Sequence, residues 1–121
     1  MAKKKILVAE DESALLKLYR QMLKADGYDV TAVATGREAL NLAEEGGFDL
    51  LFLDFRLPDI TGDKIVEEIR ERGDDTTVVL ITGFPELQNG IDALDLGIYE
   101  ILLKPIKVEE LLRVAREALS S

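Results

Sequence analysis

The chain has 121 residues, of which 47% are hydrophobic, and a formal net charge of −9. A chain of this length forms one compact domain, and its acidic charge argues against direct binding to a nucleic-acid backbone. It contains no cysteine and no histidine, which excludes disulfides, zinc–thiolate sites and serine triads. Any chemistry must therefore use carboxylates, hydroxyls and amines.

Short apolar runs along the chain predict five β-strands. Each run is bounded by turn residues and is rich in leucine or β-branched side chains. Several runs are apolar at every position, which is typical of parallel strands that are covered on both faces. The predicted strands are 6–9, 30–33, 50–53, 78–81 and 101–103.

The segments between the strands predict amphipathic helices, because apolar residues recur along one side of each at helical spacing. We expect Ser13 to cap the first helix and Gly27 to follow its end in a left-handed conformation. The predicted helices are 13–25, 36–45, 63–72, 86–96 and 108–119.

This alternation predicts an α/β fold, a single doubly wound (βα)5 domain with helices on both faces of a parallel sheet. The common strand order for five strands is the flavodoxin-like order 2-1-3-4-5, in which the first and third strands are neighbours. Ligands bind such sheets where the chain directions diverge, at the carboxyl ends of those two strands.

Three carboxylates follow the two predicted strand ends: Glu10 and Asp11 after the first strand, and Asp54 after the third. Carboxylates this close repel one another, so the site needs a cation unless one of them stays protonated. A hard ion such as Mg²⁺ suits an all-oxygen site. The alternative makes these residues ordinary helix-start and turn charges. Their placement on adjacent strand ends favours the metal site.

Two further polar residues end the last two predicted strands, Thr82 and Lys104. A hydroxyl and an ammonium beside a metal-bound carboxylate are the groups that a transferred phosphoryl group requires. Each residue alone is ordinary at a strand end. Their joint placement on the fourth and fifth strands favours phosphoryl chemistry.

Four motifs resemble those of the receiver domain of two-component response regulators, the CheY-like domains. They are ILVAEDE at 6–12, LDFRLPDITG at 53–62, LITG at 80–83 and LKP at 103–105. Their order and separations match the family, and the resemblance covers essentially the whole chain. It implies that residues 1–121 form one receiver domain without an effector domain, either acting alone or belonging to a longer regulator or hybrid kinase.

By this resemblance Asp54 is the phosphoacceptor, and it takes a phosphoryl group from the phosphohistidine of a sensor histidine kinase or a phosphotransfer protein. The family's metal site implies Mg²⁺, or Mn²⁺, held by Glu10, Asp11, Asp54 and the backbone carbonyl of Arg56.

The resemblance also gives roles to the remaining motif residues. Thr82 matches the hydroxyl that moves toward the phosphoryl group, and Lys104 matches the lysine that contacts it. The bond between Lys104 and Pro105 is expected to be cis, as is usual in the family.

The implied function is a phosphorelay switch and not an enzyme beyond its own phosphorylation and dephosphorylation. Phosphorylation is expected to change the surface of helix 4, strand 5 and helix 5, for contact with a partner or in a homodimer. The sequence has neither a long apolar stretch nor a signal peptide, so we expect a cytoplasmic location without membrane association.

Four positions depart from the family pattern, and the first is Glu10, which stands where the family more often has aspartate. Ile101 occupies the usual aromatic switch position, and Tyr99 lies about 7 Å away along a strand, so coupling of threonine to an aromatic residue is not expected. Arg56 and Phe84 occupy positions that flank the path of the hydrolytic water. We hypothesise that both side chains hinder that water and prolong the phosphoryl form.

Other functions on the same fold remain as alternatives. An FMN or nucleotide module would place a phosphate-binding loop after the first strand, where this chain has acidic residues. An aspartate-nucleophile phosphatase would have an acid at Arg56. A receiver-like interaction domain that is never phosphorylated would not need the full set of site residues.

Overall fold

The computed structural model describes residues 2–120, apart from the side chains of Gln88, Asn89 and Ala93. Strands and helices alternate throughout that range. The strands are β1 (Lys5–Ala9), β2 (Asp29–Val33), β3 (Leu50–Asp54), β4 (Thr77–Thr82) and β5 (Glu100–Leu103). The helices are α1 (Ser13–Ala25), α2 (Gly36–Glu45), α3 (Gly62–Glu71), α4 (Leu87–Ala93) and α5 (Val108–Leu119).

The strands form one parallel sheet in the order β2-β1-β3-β4-β5, which confirms the predicted order. The register pairs Ala9 with Leu53 and Asp54 with Ile81. The carboxyl ends of β1, β3 and β4 therefore lie side by side, as the topology required.

The sheet has a hydrophobic cluster on each face, and alternate residues of β3 contribute to the two. Leu51 and Leu53 pack with residues of α2 and α3, whereas Leu50 and Phe52 pack with residues of α1 and α5. All four side chains are essentially inaccessible to solvent. This explains the continuous apolar run, because burial on both faces leaves no position for a polar residue.

Helices α1, α2 and α5 have the predicted bounds, and α3 is shifted by one residue. The predicted helix 86–96 was too long, since α4 ends at Ala93. Asp95 has a φ of 53°, a left-handed conformation that cannot continue a helix. Leu96 then packs against the core from the loop that follows. The apolar spacing that suggested a longer helix reflects this contact.

The start of α1 differs from the prediction, whereas its end agrees with the prediction. The N-cap of α1 is Glu12, without a side-chain hydrogen bond, so the expectation that Ser13 caps this helix was wrong. Gly27 has a φ of 98° and confirms its predicted left-handed role. In α2 the Thr35 hydroxyl accepts the Glu38 N–H at 3.2 Å, a cap that the sequence reading missed.

Across residues 2–120, the structure contains no helix whose length and hydropathy would let it span a bilayer.

A close approach of backbones joins the start of α3 to the end of β3. The Gly62 N–H donates to the Phe55 carbonyl at 2.8 Å, and a Cβ atom at Gly62 would lie 2.8 Å from the Asp54 carbonyl oxygen. Only glycine fits there without displacing the backbone that carries Asp54.

The substitution Gly62→Ala should therefore lower the free energy of unfolding by about 1–3 kcal/mol, because the helix must move away from β3. Urea denaturation measures this change. Gly90→Ala is the matched control: a Cβ at Gly90, inside α4, meets no atom within 4 Å. That variant should be more stable by about 0.5–1 kcal/mol. Equal effects of the two substitutions would contradict the steric argument.

Candidate functional site

Two carboxylates are buried at the carboxyl ends of neighbouring strands. Glu10 directly follows β1, and its N–H donates to the Val33 carbonyl of β2 at 3.1 Å, so the ladder fixes its backbone. Asp54 is the last residue of β3. The exposed fractions are 1% for Glu10 and 4% for Asp54. Burial of two such groups side by side requires a compensating positive charge.

Lys104, which directly follows the edge strand β5, supplies that positive charge. Its N–H donates to the Thr82 carbonyl at 2.8 Å, which extends the pairing of β4 with β5 by one residue. Its ammonium nitrogen lies 2.9 Å from Asp54 Oδ2 and 2.9 Å from Glu10 Oε1. The structure thus brings together three predicted site residues that are far apart in the sequence.

The surroundings of Glu10 and Lys104 shift the pKa of both groups. Burial raises the pKa of Glu10 to about 7, and the nearby Asp54 adds to this rise. The Lys104 ammonium and the Glu12 N–H, which donates to Glu10 Oε2 at 3.1 Å, act in the opposite direction. Burial works against the charge of Lys104, but its two carboxylate partners outweigh burial and raise its pKa. One ammonium is therefore insufficient for the negative charge of this site.

Asp11 completes an acidic cluster with Glu10 and Asp54. One carboxylate oxygen from each residue lies within 4.8 Å of the others, and Asp11 is exposed to solvent. Three carboxylates facing one ammonium leave net negative charge, and the donors are all hard oxygen atoms. The cluster could bind a metal ion, and its chemistry fits the magnesium class of ions.

The backbone of Arg56 contacts the Asp54 carboxylate. The Arg56 N–H donates to Asp54 Oδ1 at 3.2 Å. Its side chain reaches across to Phe84, with the guanidinium carbon 4.3 Å from the ring centroid. This is a cation–π contact. The family resemblance implies that both residues flank the path of the hydrolytic water, but it did not predict that they would touch.

Thr82 is buried at the end of β4, with 1% of its surface exposed. Its hydroxyl accepts the Phe84 N–H at 3.0 Å. Thr82 is thus placed at the same edge of the sheet as Asp54, and its hydroxyl is oriented by the loop after β4.

The structure also locates the remaining predicted positions. The peptide bond between Lys104 and Pro105 is cis. Ile101 of β5 pairs with Leu80 of β4 and is half-buried against the core. Tyr99 precedes β5, and 47% of its surface is exposed. The switch position that the resemblance assigns to an aromatic residue is thus held by the aliphatic Ile101, and Tyr99 lies outside β5.

One further residue of the loop after β3 was missed by the sequence reading. The Asp59 carboxylate accepts hydrogen bonds from the N–H groups of Gly36 and Arg37, at the start of α2. The local sequence gives no signal for this contact, because the partners are more than 20 residues away.

Comparison with known proteins agrees with the geometry of the site. The sequence model described as the response regulator receiver domain matches residues 6–116. The chain belongs to this family. Receiver domains are the signalling domains of two-component response regulators, and a phosphorylation switch is their typical function.

The receiver domain resembles both curated proteins and solved structures. The transcriptional regulatory protein YkoG of Bacillus subtilis, described as uncharacterized, is 35% identical over 98% of this chain and 52% of its own length. A CheY-like receiver domain from Methanospirillum hungatei superposes with a TM-score of 0.87, at 30% identity, over 96% of this chain and 93% of that one.

A second solved structure is the response regulator TrrA of Thermotoga maritima, in complex with Mg²⁺ and a beryllium fluoride. It has a TM-score of 0.84 and 29% identity, and the match covers 96% of this chain and 99% of TrrA. By contrast, this receiver domain spans between about a quarter and about half of the length of the curated relatives that it matches.

The buried charges predict a cost for removing the ammonium. Lys104→Met should lower the free energy of unfolding by about 1–3 kcal/mol in EDTA, because two buried carboxylates lose their counter-ion. The raised pKa of Lys104 means that this stabilisation is fully present at neutral pH and is lost only at strongly alkaline pH. Urea denaturation at pH 7.5 measures the change.

The same substitution at Lys64 is the control, because its contact with Glu67 at 3.5 Å is exposed to solvent. Lys64→Met should change stability by less than about 0.5 kcal/mol. If the two variants lose the same stability, Lys104 does not neutralise the site.

Proposed function

We propose that this receiver domain is a phosphorylation-dependent switch in which Asp54 accepts a phosphoryl group. The observation that carries the proposal is the buried Asp54 carboxylate, which contacts Lys104 within a cluster of three carboxylates. The donor is the phosphohistidine of a sensor histidine kinase or phosphotransfer protein. It lies outside these 121 residues, because they include no histidine.

The proposed reaction is a direct transfer to the side chain. A carboxylate oxygen of Asp54 forms a bond to phosphorus while the bond between phosphorus and the donor nitrogen breaks, and the nitrogen keeps the electron pair. Lys104 then neutralises part of the charge on the phosphoryl oxygens. Later attack of water on phosphorus returns the carboxylate and releases inorganic phosphate. The domain catalyses only these two reactions on itself.

The proposed cofactor is Mg²⁺, with Mn²⁺ as a substitute. Glu10, Asp11, Asp54 and the Arg56 carbonyl would hold it, since Asp11 opens the cluster to solvent and the Arg56 backbone lies against Asp54. When bound, the ion neutralises the phosphoryl oxygens. The complex of TrrA with Mg²⁺ and a beryllium fluoride supports this assignment.

The proposed output is a change on the surface formed by α4, β5 and α5. The added phosphoryl group carries about two negative charges, which would attract the Thr82 hydroxyl and Lys104 and reposition the loop after β4. Leu94, Tyr99 and Leu103 are exposed hydrophobic residues of this region. They suit contact with a partner or with a second copy of the domain.

Two alternatives are not favoured by the structure of the site. The loop after β1 begins with Glu10 and Asp11, which would repel the phosphate of a flavin or nucleotide. Arg56 occupies the position where an aspartate-nucleophile phosphatase needs a second acid. Turnover of small phosphoesters is therefore not part of the proposal.

Acetyl phosphate and Mg²⁺ test the proposal directly. Intact mass should show the gain of one phosphoryl group in the wild type and none in Asp54→Ala, because the nucleophile is absent. Asp75→Ala, which removes an exposed carboxylate before β4, should be labelled like the wild type. A label that survives loss of Asp54 would refute the assignment. Light scattering of the same labelled sample shows whether the phosphorylated domain forms a homodimer.

The stack of Arg56 on Phe84 predicts a long-lived phosphoryl form. Replacement of both side chains, Arg56→Asn with Phe84→Glu, should speed dephosphorylation by about tenfold, because water gains an aligned path to phosphorus. The loss of label after removal of the phosphodonor measures the rate. Arg113→Asn, a change on the exposed side of α5, is the control. Equal rates in the wild type and the double variant would show that the stack does not shield the site.

A further inference from the structure

The loop between β3 and α3, residues 55–61, carries the backbone carbonyl that the proposed metal site uses. We name it the acceptor loop. Arg56 and Thr61 form an antiparallel bridge, and the Phe55 carbonyl accepts the Gly62 N–H at 2.8 Å. The loop therefore folds back on itself, and at its base the Phe55 N–H donates to the Ile81 carbonyl of β4 at 2.7 Å. These contacts leave the position of its tip to be determined by other groups.

Asp59 fixes the tip of the acceptor loop to α2. Its Oδ1 accepts the Gly36 N–H at 2.8 Å, and its Oδ2 accepts the Arg37 N–H at 2.9 Å. These N–H groups belong to the first turn of α2, where the helix has no internal acceptor for them. A carboxylate at this end also interacts favourably with the helix dipole. Asp59 thus acts as a second cap for α2, from a segment 22 and 23 residues away.

The pKa of Asp59 is shifted in the direction that these two hydrogen bonds favour. Desolvation raises the pKa of Asp59, but the backbone hydrogen bonds outweigh it and lower the pKa overall. The carboxylate is therefore ionised at neutral pH, and both hydrogen bonds are charge-assisted.

The packing beneath the contact is tight. A Cβ atom at Gly36 would overlap the Ile60 side chain and lie 3.1 Å from Asp59 Oδ1. Helix α2 itself is fixed by core residues on its inner side, among them Ala39, Leu40 and Ala43. The acceptor loop is consequently held by a rigid element, with little room for displacement toward α2.

We propose that Asp59 is a positioning residue for the metal site: by anchoring the acceptor loop to α2, it holds the Arg56 carbonyl where a divalent ion needs it. This inference rests on the proposed function. A backbone carbonyl cannot adjust by side-chain rotation, and Mg²⁺ requires near-ideal octahedral ligands at roughly 2.0–2.1 Å. The loop must therefore be fixed before the ion binds.

The test is the Mg²⁺ affinity of Asp59→Ala. Calorimetric titration with magnesium chloride should show that its dissociation constant is about tenfold higher than that of the wild type. The Mg²⁺ concentration for half-maximal labelling by acetyl phosphate should rise by the same factor. The labelling rate at saturating Mg²⁺ should stay near the wild-type value, because Asp54 and Lys104 are unchanged. Asp59→Asn keeps one acceptor oxygen and should give an intermediate affinity, and it serves as the test if Asp59→Ala does not fold.

Asp26→Ala is the matched control for lost stability. Asp26 accepts two hydrogen bonds from Arg116, at 2.8 and 2.9 Å, and so joins the end of α1 to α5. Its removal should lower the urea midpoint in EDTA but leave the Mg²⁺ affinity unchanged.

The possible results distinguish failure of the role of Asp59 from failure of the proposed phosphorylation switch. Unchanged Mg²⁺ affinity in both Asp59 variants overturns the inference, and so does a slower rate at saturating Mg²⁺ without a change in affinity. Failure of the wild type to bind Mg²⁺ overturns both proposals. Binding without labelling refutes only the phosphoacceptor role, since calorimetry still decides whether Asp59 positions the site.

Discussion

The burial of two carboxylates at adjacent strand ends is the constraint on which the site depends. Glu10 and Asp54 are nearly inaccessible to solvent, and the Lys104 ammonium lies 2.9 Å from each. Burial raises the pKa of Glu10 to about 7, and repulsion by Asp54 adds to this rise. One lysine does not balance the charge of Glu10, Asp11 and Asp54, and this acidic cluster could bind a metal ion.

The fold maintains this unfavourable arrangement by fixing the backbone around it. The strands of the central sheet are covered on both faces, and their register places the ends of β1 and β3 side by side. Gly62 brings α3 close behind Asp54, and Asp59 joins the acceptor loop to α2. Strands and helices therefore hold the charged groups in place. The loops that follow these elements supply the residues through which function can differ.

The chain combines the shared site of the receiver family with side chains of its own. The Arg56 guanidinium lies over the Phe84 ring, a contact that we propose prolongs the phosphoryl form. Ile101 fills the place of an aromatic switch, and Tyr99 lies outside the strand and is exposed. Signal transmission in this domain would thus depend on Thr82 and the loop after β4, without a rotating aromatic ring.

The amino-acid sequence alone determined the strand pattern, the strand order and the cluster of Glu10, Asp11 and Asp54. Local hydrophobicity marks where strands end, and the topology rule says which ends meet. Only the tertiary structure decided the other contacts, such as Asp59 with Gly36 and Arg56 with Phe84, because they join segments whose distance and orientation no local pattern encodes. The end of α4 was misread for the same reason: Leu96 packs on the core from a loop, and its helical spacing was a consequence of that packing.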